Sequence, residues 1–302
     1  MNTHLPAPPT LRVLQGVRVL SLALNLPGPA ALMRLQAMGA HCSKIEPPLG
    51  DPMAQYQPEA CEAIHVGIER WRWNLKVPQD RKALRERLSQ TDVLITSFRP
   101  SALRKLGLDW ATLHAEHPYL SCVAVVGAPG ERAEEAGHDL TYQADAGLIQ
   151  GLNMPSSLLA DMAGALLTSE AVLQAVLAQQ RDGVGQLQTV ALSSAAEWMA
   201  LPLAWGLTAP TGVLGGDHAG YRVYACRDGR VALAALEPHF AQALCEAMDL
   251  PYADNGTLHQ PSTHQAIQAF MARHSRAELD ALAAARDIPL HTLPMHTVGA
   301  SC

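Results

Sequence analysis

The chain has 302 residues, of which 48% are hydrophobic and 17% charged, with 28 Asp and Glu against 22 Lys and Arg for a net charge of −6. This length can bury one large domain or two modest ones, and the acidic balance argues against a nucleic-acid partner. The six cysteines (Cys42, Cys61, Cys122, Cys226, Cys245 and Cys302) show no CxxC or Cys/His zinc spacing. No metal site is therefore expected, and the thiols read as reduced and buried.

Residues 1–10 read as a disordered tail that lacks the basic start and apolar core of a signal peptide. Val17 to Leu22 reads as a buried strand, and Pro27-Gly28-Pro29 opens a helix through Leu32, Leu35 and Met38 that stops at Gly39. With a second strand at His41 to Ile45, this makes a parallel βαβ unit. A helix at 81–88, a strand at 92–96, short helices at 102–106 and 110–114, and a strand at 120–126 continue the alternation. The pattern predicts an α/β fold with a Rossmann-like, doubly wound parallel sheet. The longest helical pattern, 157–181, carries Leu158, Met162, Leu166, Val172, Leu173 and Leu177 as its expected buried stripe, and a strand at 188–192 follows.

Helical sequence at 195–207 leads into a Gly/Pro-rich joint at 210–220. The apolar region Trp198 to Leu214 is broken by Pro202 and Pro210, so no membrane partner is expected and a cytoplasmic location is. A hairpin at 221–226 and 231–235 and helices at 238–248, 263–273 and 276–286 complete a smaller α+β unit. The expected division is a large domain at 11–211 and a small one at 212–302 with a short C-terminal return. Low surface charge density further predicts at least a dimer.

The chain lacks G-x-G-x-x-G, G-x-x-x-x-G-K-[ST] and G-x-S-x-G, which argues against a nicotinamide dehydrogenase and an α/β-hydrolase. What it does carry is Ala136-Gly137-His138-Asp139 and, farther on, Asp161 in the first turn of a predicted helix. There the helix macrodipole favours the Asp161 anion, while its apolar neighbours push the pKa up. His138 suits a base near neutrality, Gly137 permits close backbone approach, and Asp139 reads as a brace for backbone N–H groups. A His and a carboxylate on separate elements can address one carbon from opposite sides, as reversible proton transfer requires. Arg99 follows a strand at the carboxyl edge where α/β sheets bind ligands, and its planar fork suits a phosphate. Glu237 occupies a strand-to-helix turn, either as a helix N-terminal acid or as a carboxylate reaching His138.

Four blocks occur in order. They are Leu14 to Leu20 with Lys44-Ile45-Glu46-Pro47-Pro48 and Gly50-Asp51, then Thr91 to Leu94 with Phe98-Arg99-Pro100, then Gly137-His138-Asp139 with Ala160-Asp161-Met162, and last Arg227 to Arg230 with Glu237-Pro238. Together they resemble the family III CoA-transferases (CaiB/BaiF), most closely the α-methylacyl-CoA racemase branch. The resemblance implies a Rossmann-like large domain, a small domain, an interlocked homodimer and an acyl-CoA substrate, with no cofactor beyond that substrate's coenzyme A. In the racemase branch the positions matching His138 and Asp161 are the two acid/bases, and the position matching Glu237 supports the His. In the transferase branch the position matching Asp161 is a nucleophile that forms a mixed anhydride. Arg72, Trp73, Asn74, Leu75 and Lys76, with Arg99, Ala136, Gly137 and Asp139, are the expected CoA contacts. The expectation is thus a racemase of 2-methylacyl-CoA thioesters, with backbone N–H groups near Asp161 stabilising the enolate oxygen. The alternatives are a CoA-transferase acting through Asp161 and a non-catalytic acyl-CoA-binding relative.

Overall fold

Successive residues of a strand face opposite sides of its sheet, and all four residues of Val93–Thr96 are buried, so this strand is covered on both sides. The computed structural model describes residues 11–295; the N-terminal tail and Cys302 lie outside them. The chain divides at Ala200/Leu201, upstream of the Gly/Pro-rich segment expected to hold the joint.

The first unit contains β1 (Arg18–Ser21), α1 (Pro27–Ala37), β2 (His41–Glu46), α2 (Met53–Tyr56), α3 (Pro58–Ile64), β3 (Glu69–Arg72), α4 (Pro78–Leu88) and β4 (Val93–Thr96). It continues with α5 (Pro100–Leu106), α6 (Trp110–Glu116), β5 (Ser121–Val126), α7 (Asp139–Asp145), α8 (Leu159–Asp182), β6 (Leu187–Ala191) and α9 (Leu192–Met199). Every pairing in its six-stranded sheet is parallel, in the order β3-β2-β1-β4-β5-β6. Val19, Val93, Ile95 and Val123 pack on one face with Leu32 and Leu35 of α1 and Val172 and Val176 of α8. Leu20 and Leu94 turn to the other face, against Leu84 and Leu88 of α4, Leu103 of α5 and Leu113 of α6. The strand order reverses between β1 and β4, which opens a crevice at their carboxyl ends, the usual ligand site of such sheets.

Of the predicted α8 stripe, Val172 is buried and Leu173 packs partly buried against the core, whereas the rest is not. Leu158, Met162, Leu166 and Leu177 are exposed, while Ala160, Ala163, Gly164, Ala165, Ala171, Val172 and Ala175 face the interior. The reason is close approach: a Cβ on Gly164 would lie 2.3 Å from Leu192 Cδ2. Among the described helices α8 alone is long and apolar enough to cross a membrane, and 56% of its apolar window is buried inside the protein.

The second unit holds α10 (Leu201–Ala204), β7 (Tyr221–Cys226), β8 (Gly229–Ala234), α11 (Pro238–Ala247), α12 (Pro261–Arg273), α13 (Arg276–Arg286) and β9 (Leu290–Pro294). β7, β8 and β9 form an antiparallel sheet, with Tyr221 opposite Ala234 and Gly229 opposite Pro294. Val231 and Leu233 pack against Leu244, Ile267, Met271 and Leu279 from the three longer helices.

Candidate active site

The loops after β1, β4 and β5 converge on a cavity of about 280 Å³. Leu24, Asn25 and Pro27 line it from the first loop, Ser97, Phe98 and Arg99 from the second, and Gly127, Ala136, Gly137 and His138 from the third. Asp161 and Tyr142 complete the wall, so His138, Asp161 and Arg99 share one cavity at the point where the strand order reverses.

His138 is the extended residue preceding α7, and its N–H donates to Thr141 Oγ1 at 3.1 Å. Asp139 turns away from solvent and accepts the Asp161 N–H at 2.9 Å. Its other oxygen accepts Gln143 Nε2, which also donates to the Ser157 carbonyl at 3.1 Å. Asp139 therefore ties the start of α7 to the start of α8, and with them His138 to Asp161. Burial, followed by the Asp139 charge, raises the Asp161 carboxyl to about 6. Desolvation thus outweighs the macrodipole at this helix start. Of the backbone donors near Asp161, its own N–H donates to Asp139 and the Met162 N–H to the Leu158 carbonyl.

Tyr142 packs so tightly on the loop that a Cβ on Gly127 or Gly137 would lie 2.3 or 2.4 Å from its hydroxyl oxygen. Gly137→Ala is accordingly expected to cost about 1–3 kcal/mol through overpacking and to displace His138. Urea denaturation alongside activity measures this, and unchanged values for both would contradict it.

A second cavity of about 390 Å³ shares Leu24 and Phe98 with the first and is walled by Trp73, Asn74, Leu75 and Lys76. Trp73 stacks on Trp71 with ring centroids 5.8 Å apart, and its N–H donates to the Glu46 carbonyl at 2.9 Å. The Asn74 side chain accepts the Lys76 N–H at 3.1 Å, and the Lys76 ammonium enters no ion pair among the described residues. Arg72 is exposed against Gly50 and does not line this cavity. Arg99 lies with His138 and Asp161 rather than beside Trp73–Lys76. Glu237 belongs to the second unit, where it is exposed and precedes α11. A larger cavity of about 800 Å³ in that unit has no carboxylate in its walls.

Sequence reading passed over a buried ionic cluster beneath the first loop. The Lys44 ammonium is fully buried, hydrogen-bonds to Asp51, and lies 3.0 Å from His65 Nε2 and 3.5 Å from Glu46 Oε1. His65 Nδ1 is 2.6 Å from the Cys61 carbonyl, so Nδ1–H donates there and Nε2 accepts from Lys44. Burial lowers the His65 pKa, in keeping with a neutral ring. Glu46, Asp51 and His65 have donor atoms within 4.8 Å of one another, as a metal cage would, but the Lys44 ammonium is their shared cation. The Asp51 carboxylate also accepts the Met53 N–H at 2.9 Å and the Asn25 N–H at 3.1 Å from each oxygen.

A parallel sheet with linked cavities at its switch point defines an α/β protein suited to an extended small-molecule ligand. The CoA-transferase family III pattern matches residues 14–296, and the chain belongs to that family. It is 28% identical over 255 residues to the alpha-methylacyl-CoA racemase of Homo sapiens, covering 78% of this chain and 65% of that protein. It is also 28% identical over 280 residues to the succinyl-CoA:mesaconate CoA-transferase of Haloarcula marismortui, covering 81% and 70%. The chain thus spans slightly under two thirds of the racemase's own length. A crystal structure of a hypothetical protein from Mycobacterium tuberculosis shares the fold, with a TM-score of 0.78 at 23% identity over 97% of this chain and 87% of that one.

Proposed function

We propose that this protein is an acyl-CoA enzyme that inverts the α-carbon of 2-methylacyl-CoA thioesters by two-base proton exchange between His138 and Asp161. The observation that carries this reading is their shared cavity, with the Asp161 carboxyl held at about 6. A carboxyl at that value has on the order of a hundredfold more acid form at pH 7 than an ordinary aspartate, so it can return a proton as well as take one. The base removes the α-proton, the C–H electron pair forms the enolate, and the opposite acid protonates the other face. The thioester lies with its α-carbon in this cavity and its CoA arm past Leu24 and Phe98 toward Trp73–Lys76, while Arg99 meets an anionic or carbonyl oxygen. The exposed Leu158, Met162, Leu166 and Leu177 on α8 supply apolar area for a homodimer, and buried free thiols suit a reducing cytoplasm.

In heavy water, wild-type protein is expected to exchange the α-proton of 2-methyloctanoyl-CoA, and His138→Ala to lose at least about a hundredfold of that rate. Undiminished exchange in His138→Ala would remove the two-base mechanism. The same raised Asp161 carboxyl, and the likeness to a CoA-transferase, favour a second reading in which Asp161 attacks the thioester and carries the acyl group as an anhydride. An Asp161 hydroxamate formed when hydroxylamine intercepts the anhydride, with CoA transfer surviving His138→Ala, selects it.

A further inference from the structure

We propose that the Tyr142 hydroxyl donates a hydrogen bond to the Asp161 carboxylate once a ligand has displaced water from the cavity, which makes Tyr142 a positioning residue for the reaction. This rests on the acyl-CoA reading of the cavity and adds a residue to it. In both forms of that reading Asp161 passes through its anion, either to take the α-proton or to attack the thioester. A ligand that fills the cavity removes the water around that anion, and a fixed protein dipole must replace it. No side chain among the described residues hydrogen-bonds to the Asp161 carboxyl, whose pKa burial raises accordingly. Tyr142 lines the same cavity, is only 8% exposed, and its hydroxyl makes no hydrogen bond among the described residues. Contacts of this kind commonly close only when the ligand is bound.

The first turn of α7 places the ring. Tyr142 packs with Ala160, the residue before Asp161, and Asp139 accepts the Asp161 N–H at 2.9 Å. The starts of α7 and α8 therefore hold phenol and carboxyl at one end of the cavity. The hydroxyl sits in a gap that exists because Gly127 and Gly137 lack side chains, since a Cβ on either would lie 2.3 or 2.4 Å from it. A donor fixed in this way needs little reorganisation when charge appears beside it. Burial and then the Asp161 charge raise the Tyr142 pKa, and the Arg99 charge opposes them, so the phenol lies in the field of both groups. It stays protonated at working pH, as a donor to a carboxylate must. Other groups nearby have different openings or partners. The Gly137 and Asp139 N–H groups beside His138 have no hydrogen-bond partner among the described residues and remain open to the thioester oxygen. Glu135 pairs with Arg132 at 3.0 Å, and Tyr56 of α2, which also feels the Asp161 charge, is exposed and does not line the cavity. Tyr142 makes and breaks no covalent bond: it keeps its proton while Asp161 loses and regains one, or adds to the thioester.

Tyr142→Phe removes one oxygen and leaves the ring on Ala160. The probes are the two enantiomers of 2-methyloctanoyl-CoA, with α-proton exchange followed against pH. The pH profile of kcat reports the liganded enzyme and that of kcat/KM the free one. For the enantiomer whose α-proton Asp161 takes, the acid limb of kcat is expected to rise by about one pH unit in Tyr142→Phe, lowering kcat about tenfold at acid pH. The acid limb of kcat/KM should stay at about 6 in both proteins, with melting temperature near wild type. An acid limb of kcat that is the same in both proteins overturns the assignment. So does a shift of equal size in kcat/KM, or a kcat lowered alike at every pH together with melting temperature, either of which leaves the hydroxyl a role in the unliganded fold only. If the wild-type protein transfers CoA without exchanging the proton, the same comparison is made on transfer. If it does neither with these probes, the acyl-CoA reading itself fails and the role of Tyr142 fails with it.

Discussion

Asp161→Asn is expected to abolish α-proton exchange and CoA transfer while raising stability at neutral pH. Its carboxyl lies at about 6 in the folded protein against an ordinary 3.8, chiefly because burial disfavours the charged form. Between those two values the folded chain keeps a proton that the unfolded chain has released. The stability this proton confers is present below pH 4 and is lost as pH rises through about 6. Above that window the protein carries a partly desolvated carboxylate whose cost has a ceiling of about 3 kcal/mol. Residual solvent contact brings the expected gain of Asp161→Asn to roughly 1–2 kcal/mol at pH 7.5, shrinking toward nothing below pH 4. The asparagine retains the backbone N–H that Asp139 accepts, so α7 and α8 stay tied. Denaturant titrations of both proteins across this pH range measure the difference. A variant less stable than wild type at pH 7.5, or a gap that ignores pH, would show that desolvation is not what sets this carboxyl. Activity that depends on the Asp161 anion should fall as pH drops through about 6.

The parallel sheet is legible because its strands are short apolar runs separated by helices. Val93–Thr96 and Ser121–Val126 lie where their apolar, β-branched sequences place them. β3 escaped notice because Glu-Arg-Trp-Arg has no apolar alternation, and as an edge strand it is only half buried. β9, five residues ending in Pro294 at the edge of the second sheet, escaped for the same reason. Most of the predicted α8 stripe faces outward, because hydrophobicity alone does not decide burial. Close helix packing selects Ala and Gly instead, and leaves the Leu/Met side outside. At the site, His138 and Asp161 stood out by chemistry and by the blocks around them, and the fold places both on one cavity. Tyr142 gave no signal, because its place depends on a glycine-lined gap that appears only when the three loops meet. Lys44 lies inside one of the sequence blocks, where a lysine within a strand reads as a surface charge until the fold encloses it.

Lys44→Met is expected to be among the most damaging single changes in the first unit. The methionine stem can fill much of the space of the lysine stem, so packing changes little, but the ammonium that Asp51 and Glu46 share is lost. Both carboxylates lie in buried residues, and Glu46 Oε1 already lacks a hydrogen-bond partner. Removing one partner of a buried ion pair costs about 3–5 kcal/mol, mostly through the charge left behind. Asp51→Asn keeps the shape of the carboxylate and deletes one of those charges, so the double variant should recover part of the loss. A coupling of more than about 1 kcal/mol between two groups in direct contact is the expected result of that cycle. Simple additivity, or a Lys44→Met protein as stable as wild type, would mean that the cluster contributes nothing through its charges. Because Asp51 also holds the Asn25 N–H, activity and stability should fall together at Lys44. At Asp161 they should move in opposite directions. That contrast separates a residue that supports the cavity from one that reacts inside it.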